Sequence, residues 1–218
     1  VFLSAKYATC SGAHDPAPAA GQLAWLSAQL SDARQNHESV WVVGHIPPGI
    51  DVYSTLRKSP DLCTSAAPPI VFLSSDKLAQ VRSANADIIR LAIFGHTHSD
   101  EIGLIPSNLA SPREDSTSHP QLRTEPNSPQ LTTSSNTSEP TSAPDPGIPV
   151  KIVASISPVN GNNPTFTLAT INPITASLLD YSVVMASNLT GIATLWSTEY
   201  SYSTAYFEPS FSPLAVSH

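Results

Sequence analysis

Two apolar runs of the chain each end in a glycine followed by a histidine, and this repeated pattern limits the fold more than any other feature. The run at 40–43 leads through one glycine to His45, and the run at 88–94 leads through one glycine to His96. Neither run alternates apolar with polar residues, which is typical of parallel strands covered on both faces. We therefore expect both histidines just beyond the carboxyl ends of sheet strands, where functional groups gather in open α/β sheets.

The segments around these runs predict the rest of an α/β order. Leucines at helical spacing predict a helix at about residues 20–36 and a second helix within 70–85. Residues 46–69 are rich in proline and glycine and predict a loop. Residues 1–7 are apolar and β-like. The resulting succession of strand, helix, strand, helix and strand predicts an α/β fold.

The middle of the chain changes in composition. Residues 106–149 are dominated by proline, serine and threonine and contain no aromatic residue. Such a segment buries too little apolar surface to offset the entropy lost on ordering, so we expect a disordered surface insertion. An ordered loop is the alternative. The insertion separates a first part, residues 1–105, from a last part, residues 150–218.

The last part predicts more sheet. Residues 150–156, 165–171 and 176–185 are rich in valine, isoleucine, threonine and leucine, and turn residues separate them. We expect these segments to be strands, arranged as a meander. The aromatic tail at 190–218 is expected to pack over the core.

Charge and cysteine content exclude several classes of protein. With 10 Lys+Arg against 17 Asp+Glu, the formal net charge is −7, so no basic surface for nucleic acid is expected. No apolar run approaches the roughly 18 residues of a membrane span. The cysteines are Cys10 and Cys63, which excludes a disulfide-dense scaffold and leaves open whether the two pair. Because the chain starts at Val1, inside an apolar run, we expect it to be a processed form or a fragment.

Three histidines are candidate metal ligands. His96 and His98 are two residues apart, so in an extended segment their side chains point the same way. Together with His45 they could supply half of a two-metal site, since neutral imidazole binds zinc, iron or manganese. Asp100 follows closely and could orient an imidazole. The alternative is that each histidine is an ordinary hydrogen-bonded loop residue.

The motifs resemble those of the calcineurin-like metallophosphoesterases. The likeness rests on Gly-His-Ile-Pro-Pro-Gly at 44–49 and Gly-His-Thr-His at 95–98. The acid sphingomyelinase-like phosphodiesterase branch is the closer likeness, because Gly-Gln-Leu-Ala-Trp-Leu at 21–26 precedes the first motif. The turn Gly-Asn-Asn-Pro at 161–164 and the aromatic tail are similar to that branch too.

This resemblance implies a fold and a metal site. The fold would be a four-layer α/β/β/α sandwich with two divalent metal ions, zinc foremost and iron or manganese as alternatives. His45 and His96 would bind one ion and His98 the other. The residues that would support these ligands or lie at the substrate rim are Asp100, Asn162 and Asn163.

The resemblance also implies hydrolysis of a phosphodiester, in the manner of a sphingomyelinase. The partners would be a phosphodiester substrate and a lipid surface, and the protein would be secreted or periplasmic. The family's Asp-x-His motif, bridging aspartate and strand-ending Asn-His pair, which carries the general acid, do not occur in this sequence. We therefore expect the missing catalytic residues upstream and the chain alone to be inactive or nearly so.

Two other functions stay open on the sequence. One is a non-catalytic relic or binding module built on a phosphoesterase-like half-sheet, which the missing motifs favour. The other is a mononuclear metal-binding protein that uses only the three histidines.

Overall fold

A computed structural model describes residues 17–58, 68–72, 75–107, 147–159, 161–187 and 194–216. These residues all belong to one compact unit. The predicted strand at 1–7, both cysteines and residues 108–146 of the predicted insertion lie outside the described residues. None of the helices in the described part is long and apolar enough to cross a membrane.

The first part of the chain alternates helices and strands. Helix α1, Ala17–Gln35, leads to strand β1, Val40–Val43. Helices α2, Val52–Lys58, and α3, Ser75–Ser83, precede strand β2, Ile89–Phe94. The later elements are β3 Glu101–Ile105, β4 Ile148–Ile152, β5 Thr165–Ile171, β6 Leu178–Ala186, β7 Trp196–Ser201, α4 Tyr202–Tyr206 and α5 Pro213–Val216.

The first sheet has the strand order β1-β2-β4-β3. Strands β1, β2 and β4 are parallel, and β3 closes one edge in the antiparallel sense. Val42 lies opposite Ala92, which in turn lies opposite Val150. The carboxyl ends of β1 and β2 therefore meet at the same edge of the sheet, as the sequence predicts.

The second sheet is an antiparallel meander of β5, β6 and β7. The prediction that residues 150–156 begin this meander is wrong, because residues 150–152 pair with β2 and β3 as part of strand β4 and residues 153–156 are not in a strand. Burial explains the difference, because Ile148 to Lys151 are all buried. Such a strand suits the interior of the first sheet, whereas β5 carries an exposed side along most of its length.

Packing gives three layers in the described residues. Helices α1 and α3 cover one face of the first sheet, around Leu30, Ile89 and Phe94. The other face of that sheet packs on the second sheet, where Leu91 meets Tyr181. The α/β prediction is confirmed. The described residues contain no helical layer over the outer face of the second sheet, and they leave Phe166, Leu168 and Trp196 exposed there.

Local signals located the elements up to β6 except α2 and β3, and β7, α4 and α5 in the aromatic tail were not predicted. The predicted helix at 20–36 is α1, and the strands predicted at 40–43 and 165–171 match β1 and β5. Residues 46–69 were predicted as a loop, but they contain α2, which Asp51 caps by accepting a hydrogen bond from the Ser54 amide at 2.8 Å. Strand β3 was also missed, because its pairing partner β4 is distant in the chain.

A buried lysine joins the two sheets. The Lys151 ammonium on β4 contacts the Asp100 carboxylate and lies 4.3 Å from the centroid of the Tyr181 ring on β6. The Tyr200 hydroxyl on β7 donates to the same carboxylate. Burial lowers the pKa of Lys151 to about 7, so its charged form depends on the Asp100 carboxylate beside it.

A glycine at the end of β1 permits close packing of the two central strands. A Cβ atom on Gly44 would lie 2.9 Å from Cε1 of Phe94, whose ring is buried. No side chain fits at that distance without displacing the ring. In contrast, a Cβ atom on Gly21 of helix α1 would meet no atom within 4 Å.

Replacing the buried lysine should destabilise the fold. We expect Lys151→Met to lower the free energy of unfolding by about 2–3 kcal/mol, because it leaves the Asp100 carboxylate without its cation. Urea denaturation followed by circular dichroism measures this change. Lys77→Met, at an exposed position of α3, is the control and should change stability by less than about 0.5 kcal/mol. Equal stability of K151M and the parent chain would contradict the role of the ion pair.

Replacing Gly44 or Gly21 with alanine should change the free energy of unfolding in opposite directions. We expect Gly44→Ala to lower the free energy of unfolding by about 1–3 kcal/mol through displacement of the Phe94 ring. Gly21→Ala should raise it by up to about 1 kcal/mol, because alanine favours a helix interior. Thermal and urea unfolding of both variants test this, and a stabilised G44A would refute the packing argument.

Candidate functional site

The parallel pairing of β1 with β2 brings the two Gly-His motifs together. The Gly44 amide donates to the Ile93 carbonyl at 2.9 Å, and the Gly95 amide donates to the His45 carbonyl at 3.0 Å. The Nε2 atom of His45 lies 3.4 Å from the Nδ1 atom of His96. Their rings meet edge to face, with centroids 5.1 Å apart and planes at 81°. The two histidines therefore form one site.

The backbone at His96 and His98 is in the left-handed region. Their φ angles are 75° and 61°. Residues other than glycine seldom adopt this conformation, and where they do it often marks a functional site. The segment is not extended, so the argument that alternation aims both side chains the same way does not hold here. The Nδ1 atom of His98 is buried and has no hydrogen-bond partner.

Phe72 and Asp51, from the region between β1 and β2, lie near the His96 side chain. The Phe72 ring lies edge to face with the His96 ring, with centroids 5.3 Å apart, and the Phe72 amide donates to the Gly49 carbonyl at 2.9 Å. Burial, reinforced by the nearby His45, lowers the pKa of His96 despite an opposing effect of Asp51. This shift favours the neutral form of His96, in which imidazole binds metal ions.

Asp100, predicted to orient an imidazole, has its carboxylate engaged by Lys151 and Tyr200. Asp100 lies in the loop that follows the histidines, and these contacts join that loop to strands β4 and β7. Asp100 thus holds the Gly-His-Thr-His segment against both sheets, a role that the sequence alone did not suggest.

Asn162 and Asn163, predicted at the substrate rim, hold their own turn together. The Asn162 amide donates to the Ser157 carbonyl at 3.2 Å, and the Asn163 amide contacts the Met185 sulfur at 3.2 Å. The Oδ1 atom of Asn162 is buried without a hydrogen-bond partner. These contacts fix the loop between β4 and β5, and they do not join it to the histidines.

Asp51 and Phe72 lie near His96 and are not among the predicted site residues. Asp51 is hard to select from sequence because a single acidic residue after a proline-rich loop is common. The signal that would have found it is the helix-capping pattern with Ser54, which places Asp51 at the start of α2. Phe72 carries no comparable signal, since its approach to His96 depends on tertiary structure.

The spacing of the two imidazole nitrogens fits a shared metal ion. A tetrahedral ion with two nitrogen ligands at about 2.0–2.1 Å separates those nitrogens by about 3.3–3.4 Å. The distance of 3.4 Å between His45 Nε2 and His96 Nδ1 matches this spacing. The described residues nevertheless contain no cluster of three or more His, Cys, Asp or Glu side chains arranged to hold a metal ion.

The chain has relatives among known phosphodiesterases. It is 29% identical to sphingomyelinase phosphodiesterase D of Dictyostelium discoideum over 91% of this chain and 36% of the relative. It is 25% identical to sphingomyelin phosphodiesterase B of the same organism over 90% of this chain and 25% of the relative. Human cyclic GMP-AMP phosphodiesterase SMPDL3A is 28% identical over 43% of this chain and 18% of the relative.

The chain thus spans about a third or less of the length of these relatives. No family model matches it. The relatives cover most of the chain and carry the names that its motifs predicted. The resemblance to the acid sphingomyelinase-like phosphodiesterases is thereby confirmed.

Proposed function

We propose that this chain supplies part of the active site of a metal-dependent phosphodiesterase. The observation that carries the proposal is the 3.4 Å separation of His45 Nε2 and His96 Nδ1 at the carboxyl ends of two adjacent parallel strands. In this proposal the two histidines hold one divalent ion and His98 contributes to a second. Zinc is the first choice, with iron or manganese as alternatives, because all three accept imidazole ligands.

The chain's own residues would prepare such a site. The lowered pKa of His96 keeps a nitrogen lone pair available at neutral pH. The unpartnered Nδ1 of His98 is a second buried acceptor that a cation would satisfy. The ions, when bound, would polarise the phosphoryl oxygens and generate a water-derived nucleophile.

Phosphodiesters are the proposed substrate class. The relatives' names refer to sphingomyelin and to cyclic GMP-AMP, and both molecules contain phosphodiester bonds. Among the described residues no carboxylate joins the histidines in a metal-ligand cluster, so this part of the chain shows no bridging ligand. We therefore propose that the 218-residue chain alone binds metal weakly and hydrolyses substrate slowly.

Metal affinity tests the shared site directly. We expect His45→Asn and His96→Asn each to weaken zinc binding by about tenfold or more, since even residues behind a ligand contribute 10–100-fold. Asparagine tolerates the left-handed backbone of His96. Competition with a chromophoric chelator measures the affinity, and cobalt absorption spectra report the coordination.

The matched control is His37→Asn, which changes an exposed histidine with the same left-handed backbone, φ 56°. It should bind zinc as the parent chain does. Undiminished affinity in H96N, with circular dichroism showing an intact fold, would refute the shared site.

Two further tests address the missing catalytic residues. With added zinc or manganese, we expect the chain to hydrolyse bis(4-nitrophenyl) phosphate no faster than H96N does, because the bridging carboxylate is missing. We also expect the coding sequence upstream of Val1 to contain, in frame, an Asp-x-His, a Gly-Asp and a Gly-Asn-His motif. Fast metal-dependent hydrolysis by the chain alone would contradict the first expectation. An unrelated upstream sequence would favour the binding module.

A further inference from the structure

The Phe72 ring contacts His96 from a segment that is distant in the chain. The centroids of the two rings are 5.3 Å apart, and their planes meet at 73°. A steep angle at this distance is one of the favoured arrangements of aromatic pairs. Phe72 is half-buried, whereas His96 is exposed. The contact therefore joins a residue held by packing to a residue whose ring remains accessible.

Hydrogen bonds of the main chain fix the position of Phe72. Its amide donates to the Gly49 carbonyl at 2.9 Å. The neighbouring residues Ile50 and Val71 form an antiparallel bridge. The segment that carries Phe72 is thus paired with the end of the loop that follows the first Gly-His motif. A residue next to the first motif therefore contacts the histidine of the second motif.

The orientation of the His96 ring depends on its neighbours. Exposed side chains change rotamer readily, so an exposed imidazole keeps one orientation only where contacts hold it. The ring contacts that the described residues make with His96 are those of Phe72 and of His45, whose centroid lies at 5.1 Å. His45 is itself exposed. Phe72 is therefore the better fixed of the two rings.

We propose that Phe72 is a positioning residue for His96. Its ring holds the imidazole in the orientation in which Nδ1 of His96 lies 3.4 Å from Nε2 of His45, the spacing that fits a shared ion. This inference rests on the proposed function, because it takes both histidines as metal ligands. The phenyl ring offers no ligand atom, so Phe72 contributes to metal binding through His96.

Preorganisation is the physical reason for an effect on affinity. A ligand group that is already held in its binding orientation loses less conformational freedom when the ion binds. Groups that orient metal-bound imidazoles from behind contribute to affinity in the same way. The favourable free energy of one aromatic pair corresponds to a change in a binding constant of about two- to tenfold.

Zinc affinity of the 218-residue chain tests this role, measured by competition with a chromophoric chelator. We expect Phe72→Ala to weaken zinc binding by about three- to tenfold, whereas Phe72→Tyr keeps the ring and should bind within about twofold of the parent chain. Phe166→Ala is the matched control. It removes a phenyl ring that lies 5.2 Å from the Trp196 ring on the second sheet, and it should bind zinc as the parent does.

The double variant F72A/H96N separates positioning from a general loss of structure. If Phe72 acts through His96, F72A should weaken zinc binding in the parent chain and have no effect in H96N, because the ligand that it positions is gone. A general structural effect would weaken both alike. Circular dichroism shows whether each variant is folded. If F72A does not fold, Phe72→Leu keeps the apolar bulk, removes the ring and should lose the same affinity.

Nuclear magnetic resonance supplies a readout that does not depend on an ion. In EDTA, proton–nitrogen correlation spectra of the parent chain and of F72Y should show one dominant neutral tautomer of His96. The reason is that a fixed ring keeps one nitrogen directed at His45, and such a contact selects the tautomer. F72A should populate both tautomers.

The outcomes distinguish this role from the proposed function. If H96N loses zinc affinity and folded F72A does not, the positioning role is wrong and the shared metal site stands. The positioning role is also wrong if F72A weakens binding equally with and without His96, or if it leaves the tautomer ratio unchanged. If H96N binds zinc as the parent does, the proposed function fails, and the tautomer ratio still decides whether Phe72 orients His96.

Discussion

The parallel pairing of β1 with β2 is the interaction on which the rest of the site depends. Strand β2 is central in its sheet, and its residues Leu91, Ala92 and Phe94 are almost completely buried. This burial fixes the position of the strand, because moving it would expose apolar surface on two faces at once. The hydrogen bond from the Gly95 amide to the His45 carbonyl extends the pairing of the two strands beyond their ends. His45 and His96 lie close together because this hydrogen bonding fixes the register of β1 against β2.

Two buried cations illustrate different solutions to the same electrostatic problem. Lys151 pairs with Asp100 between the sheets, and the aromatic ring of Tyr181 covers it. Arg82 lies against the face of the Phe94 ring, and its Nε and Nη1 atoms have no hydrogen-bond partner. A paired buried charge stabilises the fold, whereas an unpaired one costs free energy. Both cations lie close to elements that position the histidines.

The apolar runs of the sequence predict the core strands well because their signal is local. Burial on both faces requires a run without alternation, and β2 has such a run. Strand β1 has one too, although it lies at the sheet edge and only Val42 is buried. Helix α2 was missed because its seven residues lack a clear periodicity and depend on the Asp51 cap. The segment at 150–156 was assigned to the wrong sheet because an apolar strand does not specify its partner. Pairing is decided by contacts between segments that are distant in the chain.

By itself, the sequence determined the α/β class, the two Gly-His motifs at strand ends and the relation to a phosphodiesterase branch. Only the tertiary structure decided that His45 and His96, 51 residues apart, lie 3.4 Å from each other. It also paired Asp100 with Lys151 and left the Nε and Nη1 atoms of Arg82 without a hydrogen-bond partner. The physical reason is that composition and periodicity record how each segment is buried. The distance between two side chains depends on which segments pack together, and no local pattern carries that information.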